Sequence, residues 1–255
     1  MLRTLWVLAY GVVLTAVYAT RAILGGLLRP ADAPCTCDRL ARIWGARIVR
    51  ASGSTIEVEG AEHIDPAQPH ILIANHESWF DVFAVLGHVP GRFRFVAKKE
   101  LARIPIFGQA WRMCGHISVD RSDRSSAVQS LQQAAGRIRE DGLTIVLFPE
   151  GTRSATGHLL PFKKGAFVLA IQSRVPLVPV AVAGTRQIMP KGSFRVRPGH
   201  IRIKVGAPIE TAGLTHEDRD ALLQRSHDAI AELKGAIGGV PDGDPHTARA
   251  GDDRS

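Results

Sequence analysis

Short apolar runs alternate with segments of helical periodicity along most of the chain. The clearest helical pattern covers residues 123–141, and a second one runs from Thr215, capped through Asp218, to about residue 234. Such alternation is typical of an α/β domain with a largely buried sheet. It predicts a mixed, largely parallel sheet flanked by helices, with strands at residues 71–74, 93–97, 117–119, 143–148, 177–183 and 201–205.

The N-terminal residues 2–28 are the most apolar part of the chain. They carry no charge from Thr4 to Thr20, a stretch that forms a helix of about 25 Å against a hydrocarbon core of about 30 Å. We interpret residues 1–28 as a membrane-anchoring helix, either spanning the bilayer or lying in its interface. Arginines follow this stretch, whereas only Arg3 precedes it. This asymmetry places the remaining chain on the cytoplasmic side of the cell membrane.

The rest of the chain divides into three predicted parts. Residues 29–44, with two prolines and a cysteine pair, indicate a linker. Residues 45–234 form the α/β domain, which begins with alternating residues at 46–51 and 55–59 that favour a hairpin or paired edge strands. Residues 235–255 lack an apolar period and predict a disordered polar tail.

Composition excludes several classes of function. The formal charge of +8 over 255 residues favours a negatively charged partner such as anionic lipid or a phosphorylated substrate. The basic residues are dispersed and no nucleic-acid motif is present, so we expect no nucleic-acid partner. Walker and Rossmann glycine patterns are absent, and we expect neither cofactor nor metal. The three cysteines are too few for a disulfide framework, and we interpret Cys35 and Cys37 as incidental. We interpret Cys114 as a buried single cysteine, with a nucleophile paired with a histidine as the less favoured alternative.

The first polar corner follows the strand at residues 71–74. His76 and Asp81 are five residues apart and would point about 140° apart on one continuous helix. If Ser78 is instead the N-cap and Asp81 the N3 residue, the carboxylate can reach back to the imidazole. Two interpretations remain open here: a simple capping box, or a catalytic histidine and aspartate.

The second polar corner, residues 148–154, follows the strand at 143–148. Gly151 permits a tight turn, and Thr152 and Arg153 offer hydroxyl, amide and guanidinium donors. Such a corner suits a phosphate group, with Glu150 orienting the guanidinium or binding a substrate hydroxyl. A solvated turn with an exposed ion pair is the alternative.

Basic residues recur at other turns after apolar runs. Lys98 ends one predicted strand, Arg121 follows another, and Lys163 precedes Gly165. If the sheet is parallel, these loops gather at the carboxyl ends of its strands, where ligands bind in open α/β sheets. Their recurrence favours a shared anion-binding site.

Taken together, the polar corners resemble the ordered blocks of the glycerolipid acyltransferases, specifically the 1-acylglycerol-3-phosphate acyltransferases. The resemblance covers roughly residues 45–210, and no departure within the blocks indicates an inactive relative. Its four blocks are Asn-His-Glu-Ser-Trp-Phe-Asp at 75–81, Gly-His-Ile-Ser-Val-Asp-Arg at 115–121, Phe-Pro-Glu-Gly-Thr-Arg-Ser at 148–154 and Val-Pro-Leu-Val-Pro-Val at 175–180.

This resemblance implies a membrane-bound acyltransferase whose donor is an acyl thioester, either acyl-CoA or acyl carrier protein, and whose acceptor is a lysophospholipid. It implies His76 and Asp81 as the catalytic pair, and Glu150, Gly151 and Arg153 as the phosphate-acceptor site. Arg121 is implied as a further substrate contact, and Lys98 and Thr152 join the expected substrate-binding residues. Two alternatives stay open: a sibling acyltransferase for glycerol 3-phosphate or another lysolipid, and a non-catalytic lipid-binding protein.

Overall fold

The computed structural model describes residues 1–120, 130, 134–138 and 140–240. Its chain begins with two long helices, α1 (Leu2–Leu28) and α2 (Ala33–Ala51), joined by the 3-10 turn Pro30–Asp32. Of the helices within the described ranges, α1 alone is long and apolar enough to cross a membrane. The predicted N-terminal apolar helix is therefore present.

Seven strands form one sheet in the part of the chain that the structure describes. The sheet order is β1-β7-β6-β2-β5-β3-β4, and every pair is parallel except β6 with β7. The prediction of a mixed, largely parallel sheet is confirmed. The strands are β1 (Thr55–Glu59), β2 (Ile71–Ala74), β3 (Phe93–Lys98), β4 (Ile117–Val119), β5 (Thr144–Leu147), β6 (Leu177–Ala183) and β7 (His200–Val205).

Helices cover both faces of this sheet. Successive side chains of β2 point to opposite faces, so that Leu72 joins one core and Ile71 the other. The core around Leu72 includes α1, α2 and three further helices, whereas the core around Ile71 includes the helical residues 134–138 and two later helices. The remaining helices are α3 (Trp79–His88), α4 (Phe107–Met113), α5 (Gly165–Ser173), the short α6 (Thr185–Ile188) and α7 (Arg219–Ala236).

The prediction of a linker at residues 29–44 is wrong for most of its length. Residues from 33 onward belong to α2. Pro30 opens the 3-10 turn, and Pro34 lies in the first turn of α2. At such positions the missing N–H of proline leaves no helical hydrogen bond unmade, so the two prolines mark helix starts.

The predicted hairpin is also wrong. Residues 46–51 are the last turns of α2, where Gly45, Ile48 and Val49 are buried at helical spacing. The strand β1 pairs in parallel with β7, which lies far along the sequence. Over only six residues, an apolar pattern can fit either the helical or the strand period. Here these residues form a helix that packs against α3.

The interpretation of Cys37 as incidental is wrong. Cys37 in α2 and Cys114 after α4 form a disulfide across 77 residues of sequence, and the remaining cysteine, Cys35, is free and exposed. The disulfide also removes Cys114 from consideration as a nucleophile. It ties together two helices that border the same core.

The C-terminal boundary lies later than residue 235. The helix α7 continues to Ala236, and Ile237 is buried. The carbonyl oxygen of Val240 accepts a hydrogen bond from Lys234 at 3.2 Å. The remainder of the predicted tail, and residues 121–129, 131–133 and 139 of the predicted helix at 123–141, lie outside the described residues.

Both ends of α1 lie against the globular domain. Near its start, Arg3 Nη1 donates to the carbonyl oxygen of Ser52 at 3.1 Å. Near its end, Gly26 packs so closely on Met113 that an added Cβ would lie 2.5 Å from its sulfur. The apolar helix is therefore docked along the surface of the domain.

Candidate active site

The corner between β2 and α3 has the predicted capping geometry. Ser78 is the N-cap of α3, and its hydroxyl accepts the N–H of Phe80 at 3.2 Å. Asp81 is the N3 residue, and its carboxylate accepts the N–H of Ser78 at 2.8 Å. This capping box turns the side chain of Asp81 back over the entry loop.

There the carboxylate contacts the imidazole. Oδ2 of Asp81 lies 2.8 Å from Nδ1 of His76. Asp81 is fully buried, and the imidazole is 15% exposed. Because a carboxylate only accepts, the neutral ring carries its proton on Nδ1 and leaves the lone pair of Nε2 available. The capping box and the histidine–aspartate pair are therefore compatible, since the carboxylate of Asp81 takes part in both.

Further contacts hold the two side chains. Asp81 Oδ2 also accepts the N–H of Glu77 at 2.7 Å, and the hydroxyl of Thr185 donates to Oδ1. On the other side, the ring of Phe148 stacks on the imidazole of His76 with 4.1 Å between centroids. The imidazole is thereby fixed in position and in tautomer.

The second corner presents its basic side chain to the same space. Gly151 has a φ of 73°, a conformation that glycine adopts without strain. After this turn, the guanidinium carbon of Arg153 lies 5.2 Å from the ring centroid of Trp79, a cation–π distance. Partial burial lowers the pKa of Arg153 from its ordinary value. The turn thus directs one guanidinium towards the helix that carries Asp81.

Glu150 hydrogen-bonds to two backbone amides. Its Oε1 accepts the N–H of His76 at 2.6 Å, and its Oε2 accepts the N–H of Leu160 at 3.0 Å. Burial raises its pKa to about 8, although both amide hydrogen bonds favour the ionised form. The carboxyl therefore holds the backbone of the loop that carries His76, and each of its two oxygens accepts a hydrogen bond from the protein.

A pocket of about 630 Å³ opens beside His76. Its walls are mostly apolar and come from α1, α2, α3 and α4, including Tyr18, Leu40 and Phe83. Lys98, Thr152 and Arg153 also line it. This volume falls within the roughly 300–1,000 Å³ typical of ligand pockets. One cavity thus joins a histidine, cationic side chains and a mostly apolar interior.

Most of the predicted site residues therefore meet in one place. His76, Gly151, Thr152, Arg153 and Lys98 line this pocket, and Asp81 lies directly behind His76. Arg121 lies outside the described residues. Over the residues that the structure does describe, no group of three or more histidine, cysteine or acidic side chains is arranged to hold a metal.

Sequence reasoning missed a buried ion pair beside the site. Lys234 Nζ lies 3.2 Å from Glu77 Oε1, and both side chains are nearly inaccessible. Lys234 also donates to the carbonyl oxygen of Gly157. Burial, the largest influence on Glu77, raises the pKa of its carboxyl, and Lys234 opposes that shift. The available signal was the position of this lysine four residues after Ile230, on the buried face of the last helix.

Comparison with known proteins agrees with this architecture. Residues 55–183, half of the chain, match the sequence model of the Acyltransferase family. The chain belongs to the acyltransferase family. The matched residues include the His76 corner, the Arg153 corner and the strands that carry them.

Several named relatives are similar over most of the chain. A 1-acyl-sn-glycerol-3-phosphate acyltransferase of Limnanthes alba is 41% identical over 73% of this chain and 66% of its own length. The human 1-acyl-sn-glycerol-3-phosphate acyltransferase alpha is 34% identical over the same shares. The matched region thus spans slightly less than two thirds of these relatives.

A solved structure extends the similarity to nearly the whole chain. It is the 1-acyl-sn-glycerophosphate (LPA) acyltransferase PlsC of Thermotoga maritima, with a TM-score of 0.81 and 27% identity. The superposition covers 93% of this chain and 95% of that one. The N-terminal helices are thus part of the shared fold.

Proposed function

We propose that this protein transfers a fatty acyl group from an acyl thioester to the sn-2 hydroxyl of 1-acylglycerol 3-phosphate, giving phosphatidic acid. The observation that carries the proposal is the His76–Asp81 pair, 2.8 Å apart at the edge of an apolar pocket that Arg153 and Lys98 also line. The names of the plant, human and bacterial relatives agree with this activity.

His76 is the general base in this proposal. An alcohol attacks a thioester slowly unless its proton is removed as the new bond forms. Nε2 of His76 takes the proton of the acceptor hydroxyl, and the oxygen forms an ester bond to the acyl carbon. The carbon–sulfur bond then breaks, and the imidazolium returns the proton to the departing thiolate. Asp81 stabilises the imidazolium through Nδ1, as a carboxylate does in a catalytic triad.

The cationic side chains bind the acceptor phosphate. Arg153 offers a planar fork of donors that matches two phosphate oxygens. Lys98 lines the same pocket from the end of β3, and Thr152 adds a hydroxyl. Held there, the phosphate places the neighbouring hydroxyl near His76, and this positioning contributes much of the rate.

The apolar part of the pocket accommodates an acyl chain. It runs from His76 to side chains of α1, among them Ala19 and Ala22. Burying each methylene contributes about 0.8 kcal/mol, so a chain that fills this space is held with its carbonyl carbon towards the base. Both acyl-CoA and acyl carrier protein can deliver such a chain.

The docking of α1 favours a helix in the membrane interface over one that spans the bilayer. A 27-residue helix is about 40 Å long, and both of its ends contact the domain through Ser52 and Met113. A spanning helix would carry its first turn to the far side of the membrane, away from Ser52. We therefore propose that α1 lies in the cytoplasmic leaflet of the cell membrane, with the catalytic domain on that side.

An acceptor panel tests the proposed activity. Purified protein in mixed micelles is incubated with labelled acyl-CoA, or with acyl carrier protein carrying the same chain, and with each of several acceptors. Labelled phosphatidic acid formed only with 1-acylglycerol 3-phosphate supports the proposal, with His76→Ala as the matched inactive control. Product with glycerol 3-phosphate or another lysolipid would indicate a sibling activity. No thioester consumption with any acceptor would overturn the enzymatic assignment.

A further inference from the structure

A loop of residues 190–198, called here the 190–198 loop, lies beside the first turn of α1. Thr4 Oγ1 accepts the N–H of Val196 at 3.1 Å and lies 3.4 Å from the carbonyl oxygen of the same residue. Val196 is itself buried. These contacts fix the loop against the start of the helix that we assign to the membrane interface.

The tip of this loop exposes an aromatic side chain. Phe194 is 73% exposed, more than any other large apolar side chain in the described residues between 29 and 240. The neighbouring first turns of α1 expose Leu2, Leu5 and Trp6 by 58% or more. The loop therefore extends the exposed apolar surface of α1 beyond the helix itself.

Basic side chains surround Phe194. The loop carries Lys191, Arg195 and Arg197, all exposed, and no acidic residue. Arg3 of α1 and Arg50 at the end of α2 are also exposed beside Ser52, with which Arg3 makes its hydrogen bond. On the neighbouring edge strand, the carboxylate of Glu57 lies 3.4 Å from His200. This end of α1 is therefore a strongly positive surface.

We propose that the 190–198 loop is a second membrane-binding surface, which recognises anionic phospholipid. An aromatic ring among lysines and arginines fits the bilayer interface, because the ring enters the headgroup region while the cations contact lipid phosphates. The surface is continuous with α1 and fixes the start of the helix at the membrane. It is separate from the pocket, whose α1 contacts begin at Thr15, and does not depend on acyl transfer.

Environment-sensitive fluorescence tests this proposal in the full-length protein. Phe194→Cys is made in a Cys35→Ser background, labelled with a polarity-sensitive dye and reconstituted into phosphatidylcholine vesicles with or without phosphatidylglycerol. A matched probe at Arg225→Cys, exposed on α7 at the other face of the sheet, reports a position facing water. We expect the probe at 194 to shift to shorter wavelength when phosphatidylglycerol is present, and the probe at 225 to stay unchanged.

Removal of the positive charges from the 190–198 loop then tests whether the loop recognises anionic lipid. Lys191→Gln, Arg195→Gln and Arg197→Gln together should abolish the shift that depends on phosphatidylglycerol, and added salt should weaken it in the parent. Arg225→Gln is the control and should leave the shift unchanged. If the probe at 194 behaves like the probe at 225 in both vesicles, the loop does not bind the membrane. An equal shift in both vesicle types would overturn the recognition of anionic lipid.

Discussion

A single carboxylate oxygen, Oδ2 of Asp81, lies 2.8 Å from Nδ1 of His76 and also accepts the N–H groups of Glu77 and Ser78. The side chain that orients the imidazole of His76 therefore also shapes the loop on which His76 lies. As a consequence, substitution of Asp81 perturbs both the loop and the imidazole. Substitution of His76 removes only the side chain that is proposed to transfer the proton.

We expect His76→Ala to lower the turnover number by a factor of about 10²–10⁴, the range for loss of a general base. The folded state should persist, because the backbone N–H of His76 still donates to Glu150. Steady-state assays of purified protein check the rate, and thermal unfolding checks the fold. Turnover close to that of the parent, in a protein that unfolds normally, would exclude His76 as the base.

We expect Arg153→Ala to raise KM for the phosphorylated acceptor more than it lowers turnover, since a charge-assisted hydrogen bond contributes about 1.5–3 kcal/mol. KM for the acyl donor should change little. Arg153→Lys keeps the charge but loses the planar fork of donors. Its KM for the acceptor should therefore lie between that of the parent and that of Arg153→Ala. An acceptor KM that is the same in all three proteins would show that the phosphate binds elsewhere.

Glu150 should make stability depend on pH. Its carboxyl has a pKa of about 8 in the folded protein against an ordinary value of 4.5. Because the folded state holds the proton more tightly, the stabilising contribution is complete below about pH 4.5 and is lost as the pH rises through about 8. The slope in this window approaches about 1.4 kcal/mol per pH unit.

Comparison with Glu150→Gln isolates this effect, because the amide does not titrate. Chemical unfolding between pH 5 and 9 should show the difference in stability between parent and variant changing across the window, with the parent losing more stability as the pH rises. Other titrating groups cancel in that difference. Parallel pH profiles for the two proteins would mean that the Glu150 carboxyl is ionised throughout.

The sequence predicted the sheet and the geometry of the His76 corner because both depend on local patterns. The runs at β2 and β6 have the predicted bounds, and the His76–Asp81 contact follows from a capping box within one turn. The hydrogen bonds of Glu150 could not be predicted, because its partners, including Leu160, are backbone amides that no side-chain pattern reveals. Contacts between distant segments, such as Cys37 with Cys114, depend on how the helices pack.

The ion pair of Glu77 with Lys234 is another contact between distant segments that sequence patterns do not reveal, and mutation can test it. Lys234→Met should leave the Glu77 carboxyl buried without its partner and lower the free energy of unfolding by about 3–5 kcal/mol. Adding Glu77→Gln should restore much of this loss, because a neutral amide has no buried charge and its oxygen still accepts the side-chain Nδ2–H of Asn75. A double-mutant cycle of unfolding free energies measures the coupling. Additive effects of the two substitutions would contradict an energetically important pair.

The Cys37–Cys114 disulfide predicts a distinct alkylation pattern. Unfolded without reductant, the protein should take up one alkyl group, at Cys35, and after reduction it should take up three. Intact-mass measurement distinguishes these states. Because the bond closes a loop of 77 residues, its loss should lower the free energy of unfolding by about 2–4 kcal/mol.

The paired substitution Cys37→Ala with Cys114→Ala tests that stabilisation, and Cys35→Ala is the matched control at an exposed site. The pair lies in the wall of the pocket, so its removal should also loosen α4 against α2 and raise KM for the acyl donor more than KM for the acceptor. Three alkyl groups on the unreduced protein would show that Cys37 and Cys114 are free thiols. The variant that lacks both should then differ from the parent in unfolding free energy only through the loss of the two sulfur atoms.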